Sequence, residues 1–123
     1  MSPAPPAAGA FAPARWLPGG HAQTVFANFA RPFPRPRGRR ERWELPDGDF
    51  LDLDRYPGPS PGAPLLLVCH GLEGSSRAHY VRGLVAEALR RGLGALALNF
   101  RGCSGEPNRL PRFYHSGETG DLD

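Results

Sequence analysis

The strongest constraint on the fold is an unbroken apolar run at residues 65–69, which begins after Pro64 and ends at His70 and Gly71. Continuous apolar character over five residues predicts a strand buried on both faces, as in the centre of a parallel sheet. The turn after such a strand lies at the carboxyl edge of the sheet, where open α/β folds bind their ligands. A ligand site is therefore expected at residues 70–72.

The neighbouring segments extend this strand into a small α/β unit. Residues 79–91 carry apolar side chains at helical spacing, and residues 93–100 form a second apolar run. Strand, helix and strand in this order predict a parallel βαβ unit with a right-handed crossover. Residues 41–56 contain an Asp-Gly turn between two short arms, which predicts an antiparallel β-hairpin at the sheet edge. Alternation in its second arm predicts that Asp52 and Asp54 face water.

Length and composition narrow the possible functions. A chain of 123 residues allows one small domain, and only part of a typical α/β enzyme. All 15 basic residues are arginine, and the net charge of +3 gives little support to nucleic-acid binding. Two cysteines and no visible signal peptide favour a reduced, cytoplasmic protein. No apolar run approaches the roughly 20 residues of a membrane helix, so membrane association is not indicated.

The chain divides into two regions by composition. Residues 1–14 are rich in alanine and proline and are predicted to be disordered. Residues 15–123 are predicted to form one partial α/β domain, which opens with a short helix at 21–29. Thr119, followed by Asp121 and Asp123, is typical of a capped helix start. That pattern favours a chain that continues past residue 123.

Two charged clusters allow more than one interpretation. The five arginines of residues 35–42 could bind an anionic partner, but a solvated linker is favoured. The carboxylates of Asp49, Asp52 and Asp54 could hold a metal, but alternate residues on a solvent face explain them more simply. The sequence therefore predicts no metal and no cofactor.

The cysteines, histidines and serines are also assigned mainly structural roles. Cys69 is predicted to lie in the core, whereas Cys103 would need a base such as His115 and a lowered pKa to act as a nucleophile. A zinc site built from Cys69, His70, Cys103 and His115 would lack the usual close ligand pairs. Four serines are interpreted as turn and cap residues, namely Ser75, Ser76, Ser104 and Ser116.

Several segments together resemble one family. They are residues 70–76, 80–84, 99–108 and 114–122, with the opening at 16–24. These segments closely resemble the YheT-like α/β-hydrolases, which are esterase- and lipase-type proteins. The family usually has leucine at the position of Ala22. The resemblance implies the N-terminal portion of an α/β-hydrolase fold, with the hairpin at the edge followed by the βαβ unit.

The resemblance also implies a chemistry. It implies a serine esterase with a Ser-Asp/Glu-His triad that acts on carboxylic esters, such as short- or medium-chain esters or acylglycerols. Its partner would be a small-molecule ester rather than a nucleic acid, and the oligomeric state stays open. The nucleophile of this fold lies in a Gly-x-Ser-x-Gly segment, which this sequence lacks. Residues 102–106 come nearest, but they lack the final glycine and follow the wrong strand. We therefore expect the triad beyond residue 123 and no activity in this chain alone.

Within this family pattern, three residues of the predicted ligand site receive roles. The Leu72 N–H is expected to be an oxyanion-hole donor, and His70 and Gly71 are expected to shape its loop. His70 is not expected to be the base, because the base comes last in the chain in this fold. Arg101 is expected to tie loops together near the nucleophile. The alternative hypotheses are a non-catalytic fragment or an anion-binding module that uses the arginines of residues 35–42. A short protein that folds alone is disfavoured, because two parallel strands would leave unpaired edges.

Overall fold

The computed structural model describes residues 13–122. This part of the chain forms two compact units that meet in sequence at Pro32, and each is described by itself. The predicted disordered segment 1–14 lies outside the described residues except for its last two positions. Among the described residues, no helix is both long enough and apolar enough to cross a membrane.

The first unit contains the predicted short helix. Helix α1 (Gly20–Val25) continues into a π-helical turn (Phe26–Ala30), so the predicted helix at 21–29 is confirmed. Trp16 packs edge to face against Phe26, with ring centroids 4.9 Å apart. Gly19 precedes α1 with a φ of +83°, a conformation that glycine adopts without strain.

The second unit is a four-stranded mixed sheet with one helix. The elements are β1 (Arg39–Glu44), β2 (Phe50–Tyr56), β3 (Leu65–Cys69), α2 (His79–Arg90) and β4 (Gly94–Asn99). In space the strands follow the order β1-β2-β4-β3, where β2 is antiparallel to both β1 and β4, and β3 is parallel to β4. The pairing of β1 with β2 confirms the predicted hairpin, and the connection of β3 to β4 through α2 confirms the predicted βαβ unit.

Strand β4 is the centre of the core because both of its faces are covered. One face packs against α2, where its small residues Ala95 and Ala97 leave room for Val81 and Val85. The opposite face joins the apolar residues of β2 in a second cluster, which contains Leu51, Leu53, Leu96, Leu98 and Phe100. All six residues of β4 are buried, as expected for its unbroken apolar sequence.

The prediction that β3 is buried on both faces is wrong for this chain. Within the described residues, β3 pairs only with β4 and therefore lies at the edge of the sheet. Leu65 and Leu67 are 51% and 49% exposed, and Cys69 is exposed rather than part of the core. An apolar run indicates that a strand is suited to burial, but burial itself depends on the elements that pack beside it.

The prediction that Asp52 and Asp54 face water is also wrong. Asp52 is buried and Asp54 is half-buried, because arginines of β1 reach across the hairpin to them. Arg42 forms a two-point ion pair with Asp52 at 2.8 and 2.9 Å, and Arg40 does the same with Asp54 at 2.8 and 3.1 Å. The alternating charges therefore belong to cross-strand pairs rather than to a solvated face.

The predicted helix start near Thr119 is not present as a helix. Residues 119–122 form a turn, closed by a hydrogen bond from the Leu122 N–H to the Thr119 carbonyl. Asp121 in this turn forms an ion pair with Arg101, so it contacts a residue that is distant in the chain and does not start a helix.

Candidate active site

The site is built around a tight turn at the carboxyl end of β3. The Gly74 N–H donates to the Gly71 carbonyl at 2.9 Å, so Leu72 and Glu73 are the central residues of a β-turn. Glu73 has a φ of +54°, which makes it the one non-glycine residue with positive φ in the described part of the chain. A type II turn requires a left-handed conformation at this position, and it is unusual for a residue with a side chain.

His70 links the start of this turn to the end of β4. Its Nδ1 lies 2.7 Å from the Gly71 carbonyl, and its Nε2 accepts the Phe100 N–H at 3.1 Å. The ring is therefore neutral, with its proton on Nδ1, because Nε2 can accept only when it is unprotonated. Both nitrogens are occupied in a buried position, and this arrangement suits a structural link better than a proton-transfer group.

Two tyrosines hold the other peptide groups of the turn. The Gly71 N–H donates to the Tyr80 hydroxyl at 2.6 Å, and the Glu73 N–H donates to the Tyr114 hydroxyl at 2.5 Å. Tyr114 is itself fixed by stacking on Phe100, with centroids 4.9 Å apart. The sequence analysis assigned no role to these tyrosines, although both lie in segments that carry the family resemblance.

The Leu72 N–H differs from its neighbours in this turn. Gly71, Glu73 and Gly74 all donate to protein acceptors, whereas the Leu72 N–H has no acceptor among residues 13–122. The Leu72 side chain is 78% exposed, so the residue lies at the surface of the turn. The turn thus offers one free backbone donor within a rigid frame.

Two neighbouring cavities share Leu72 and Tyr114 in their walls. The larger has a volume of about 500 Å³ and lies between the turn and the loop that follows β4. The smaller, of about 360 Å³, lies along the end of β3 and includes His70 and His115. Phe113 and the tyrosine ring give the larger cavity an aromatic, apolar wall.

Arg101 fixes the base of the loop that forms the far wall of the larger cavity. Its guanidinium group pairs with Asp121 at 2.7 and 2.8 Å, with Asp47 at 2.7 Å and with Asp49 at 3.1 Å. The hydrogen bond with Asp121 is the largest influence that raises the pKa of Arg101 above its usual value. Arg101 therefore acts as the structural tie that the resemblance implied, and it joins the hairpin turn to the C-terminal turn.

Asp49 is the fully buried partner in this network. Burial alone would raise the pKa of its carboxyl group, but hydrogen bonds from Asn108, the Arg109 N–H, the Phe50 N–H and Arg101 outweigh burial and hold the pKa at about 2. The interpretation of Asp49 as a solvent-facing residue is therefore wrong. Among the described residues, no cluster of three metal-ligating side chains is present either.

We expect the contribution of Asp49 to stability to depend on pH. Because the folded-state pKa lies below that of the unfolded chain, the stabilisation is complete above about pH 4 and is lost as the pH falls through about 2. Urea unfolding of the wild type and of Asp49→Asn should therefore differ most near neutral pH and converge towards pH 2. A difference that stays constant from pH 7 to pH 2 would contradict the assigned network.

Three nucleophilic side chains near the turn are occupied or deactivated. Burial raises the pKa of the Cys103 thiol, which keeps it protonated, and its hydrogen bond with Tyr114 offsets this only in part. The Ser76 hydroxyl donates to Asp54, and the Ser75 hydroxyl accepts the Arg77 N–H. The Ser75 contact is typical of a turn residue, whereas the Ser76 hydroxyl bonds a residue that is distant in the chain.

The chain is similar in sequence to several known proteins. The chain is 46% identical over 113 residues to YheT, an Escherichia coli protein named as an esterase, and this match covers 90% of the chain and 33% of that protein. It is 34% identical over 85 residues to a monoacylglycerol lipase of Saccharomyces cerevisiae, covering 68% of the chain and 18% of the lipase. It is 27% identical over 118 residues to the human phospholipase ABHD3, covering 90% of the chain and 29% of the phospholipase.

The mixed sheet and these similarities define part of an α/β-hydrolase fold. More narrowly, the chain belongs to the YheT-like α/β-hydrolases, and the relatives it matches are named as an esterase, a lipase and a phospholipase. The chain spans a third or less of the length of these curated relatives. No family model and no solved structure matches it.

Proposed function

We propose that this chain supplies the oxyanion-binding loop of a serine ester hydrolase, whose nucleophile, acid and base come from outside residues 1–123. The observation that carries the proposal is the free Leu72 N–H in a turn whose other N–H groups are all held. A backbone donor fixed before the reaction starts stabilises developing negative charge without a cost of reorganisation. His70 and Gly71 serve the site by holding the turn in this geometry.

In the proposed reaction, a serine hydroxyl attacks the ester carbonyl carbon and passes its proton to a histidine base. The carbonyl oxygen becomes an anion in the tetrahedral intermediate and accepts a hydrogen bond from the Leu72 N–H. Collapse of the intermediate breaks the ester C–O bond, and the leaving alcohol takes the proton from the histidine. Water then attacks the acyl-enzyme in the same way and releases the carboxylic acid.

The proposed substrates are acyl esters of glycerol-type alcohols. The relatives named as a monoacylglycerol lipase and a phospholipase support this class. The cavity beside Leu72 also supports it, because its volume of about 500 Å³ and its aromatic wall suit part of an acyl chain.

In the proposed complete hydrolase, a further strand pairs with the exposed edge of β3. The half-exposed Leu65 and Leu67 and the unpaired edge suit further strands of a complete hydrolase, which would cover this apolar surface. The alternative of an anion-binding module at residues 35–42 has weaker support. Three of its five arginines form ion pairs with Glu41, Asp52 and Asp54.

A fluorophosphonate probe tests the proposal in the complete protein. We expect labelling of one serine outside residues 1–123, hydrolysis of p-nitrophenyl esters, and loss of both when that serine is replaced by alanine. The loop variants Ser75→Ala and Ser116→Ala should keep both properties, and the 123-residue chain should remain unlabelled. Labelling of any serine or cysteine within the chain would refute the proposal.

A further inference from the structure

A separate cavity of about 370 Å³ lies beside the start of β1, the end of β2 and the loop that leads into α2. Four arginines and one acidic residue are among the residues that line it. These residues are Arg35, Arg40, Arg77, Arg82 and Asp54. No residue lines both this cavity and the larger cavity beside Leu72.

The charges in this cavity are not balanced. Arg40 is neutralised by its two-point ion pair with Asp54 and also donates to the Ser104 carbonyl at 2.8 Å. The guanidinium groups of Arg35, Arg77 and Arg82 form no ion pair within residues 13–122. The residues that line the cavity therefore carry an excess of three positive charges. The net charge of the whole chain is also +3, so positive and negative charges balance over the rest of the chain.

The other arginines show that this pattern is unusual within the chain. Most of them pair with carboxylates, and the pairs include buried, half-buried and exposed examples. The paired arginines are Arg39, Arg42, Arg55, Arg90, Arg91, Arg101, Arg109 and Arg112. Three arginines without an ion pair line this one cavity, and a bound anion would offset their positive charge.

The cavity also contains neutral donors beside the arginines. Tyr56 lies in its wall, and its hydroxyl donates to no acceptor among the described residues. Burial raises the pKa of Tyr56, so its hydroxyl keeps its proton at neutral pH and can donate to an anion. Planar guanidinium groups match the geometry of phosphate oxygens and bind them through paired hydrogen bonds.

We propose that this cavity is a phosphate-binding site in which Arg35, Arg77 and Arg82 bind the phosphate oxygens. The phosphate group could belong to a soluble phosphate ester or to a lipid head group, since both present the same oxygens to the arginines. The site is separate from the cavity beside Leu72, because the two share no lining residue.

Titration of the isotope-labelled complete protein with inorganic phosphate, followed by NMR, tests the proposal. We expect saturable shifts of the backbone amides around Arg77 and Arg82. Arg77→Gln and Arg82→Gln should each weaken phosphate binding about tenfold, because each removes a charge-assisted contact. Neither side chain forms an ion pair within the described residues, so both variants should fold, as circular dichroism can verify.

Arg91→Gln is the matched control, because it removes one positive charge near the other end of α2, where Arg91 pairs with Glu87. We expect this variant to bind phosphate as the wild type does. Equal weakening by all three variants would show a general charge effect and overturn the site, as would the absence of saturable binding.

Vesicles of phosphatidylcholine with and without phosphatidate distinguish the two sources of phosphate. Binding to phosphatidate vesicles that is lost in both cavity variants, and kept in Arg91→Gln, identifies a lipid head group. Binding of inorganic phosphate alone, with the same dependence on the variants, identifies a soluble ligand. Since these measurements involve no hydrolysis, they can fail or succeed whatever the outcome for the proposed esterase.

Discussion

Replacing Leu72 by proline is expected to lower kcat for ester hydrolysis by the complete protein by about 100- to 1000-fold. Proline lacks the N–H that the proposal assigns to the oxyanion. Leu72 is the second residue of the turn, where proline is common, and it does not have a positive φ. Gly71 before it tolerates the restriction that a following proline imposes. Turnover of p-nitrophenyl esters measures the effect.

The control for this prediction is Glu73→Gly. Glu73 has a φ of +54°, which glycine adopts readily, and the exchange keeps every N–H of the turn. We expect kcat to change little in this variant, so its comparison with Leu72→Pro separates the donor from the turn. If the proline variant retains wild-type kcat while fluorophosphonate still labels the nucleophile, the oxyanion donor lies elsewhere.

The elements of the second unit were predictable because their signals are local. The apolar period of residues 79–91 and the Asp-Gly turn of the hairpin act over a few residues, and the structure confirms both elements. The exposure of β3 was not predictable from its own five residues. It depends on whether another strand lies beside β3, and nothing within residues 65–69 determines that.

The details of the site were harder to predict because they depend on contacts between distant residues. The Tyr114 hydroxyl binds the N–H of Glu73, which is 41 residues away in the chain, and Arg101 reaches Asp49 over 52 residues. A sequence pattern shows an aspartate near a turn, but not the arginine that neutralises it after folding. The family resemblance included residues 99–108 and 114–122 in the family pattern, whereas the chemistry of each contact at the site needed the structure.

Replacing Arg101 by methionine is expected to lower the free energy of unfolding by about 3 kcal/mol. The methionine side chain replaces the apolar stem of arginine but not its guanidinium group, so the main change is the loss of charge and hydrogen bonds. Its carboxylate partners Asp49 and Asp121 are 0% and 3% exposed, so water can hardly replace the guanidinium group. Asp47 is one-third exposed and can turn to solvent. The expected loss of unfolding free energy therefore lies at the lower end of the range found when one partner of a buried ion pair is removed. Urea unfolding followed by circular dichroism measures the change.

Arg90→Met is the control for this experiment, because Arg90 pairs with Glu87 on the exposed face of α2. Exposed ion pairs contribute little to stability, so its unfolding midpoint should stay near that of the wild type. Equal midpoints for the two variants would mean that Arg101 does not hold the hairpin turn against the C-terminal turn. A large loss in Arg101→Met alone would show that the wall of the cavity beside Leu72 depends on a buried charge network. In the complete protein, the same substitution should then lower ester hydrolysis through the fold, although Arg101 is assigned no contact with the substrate.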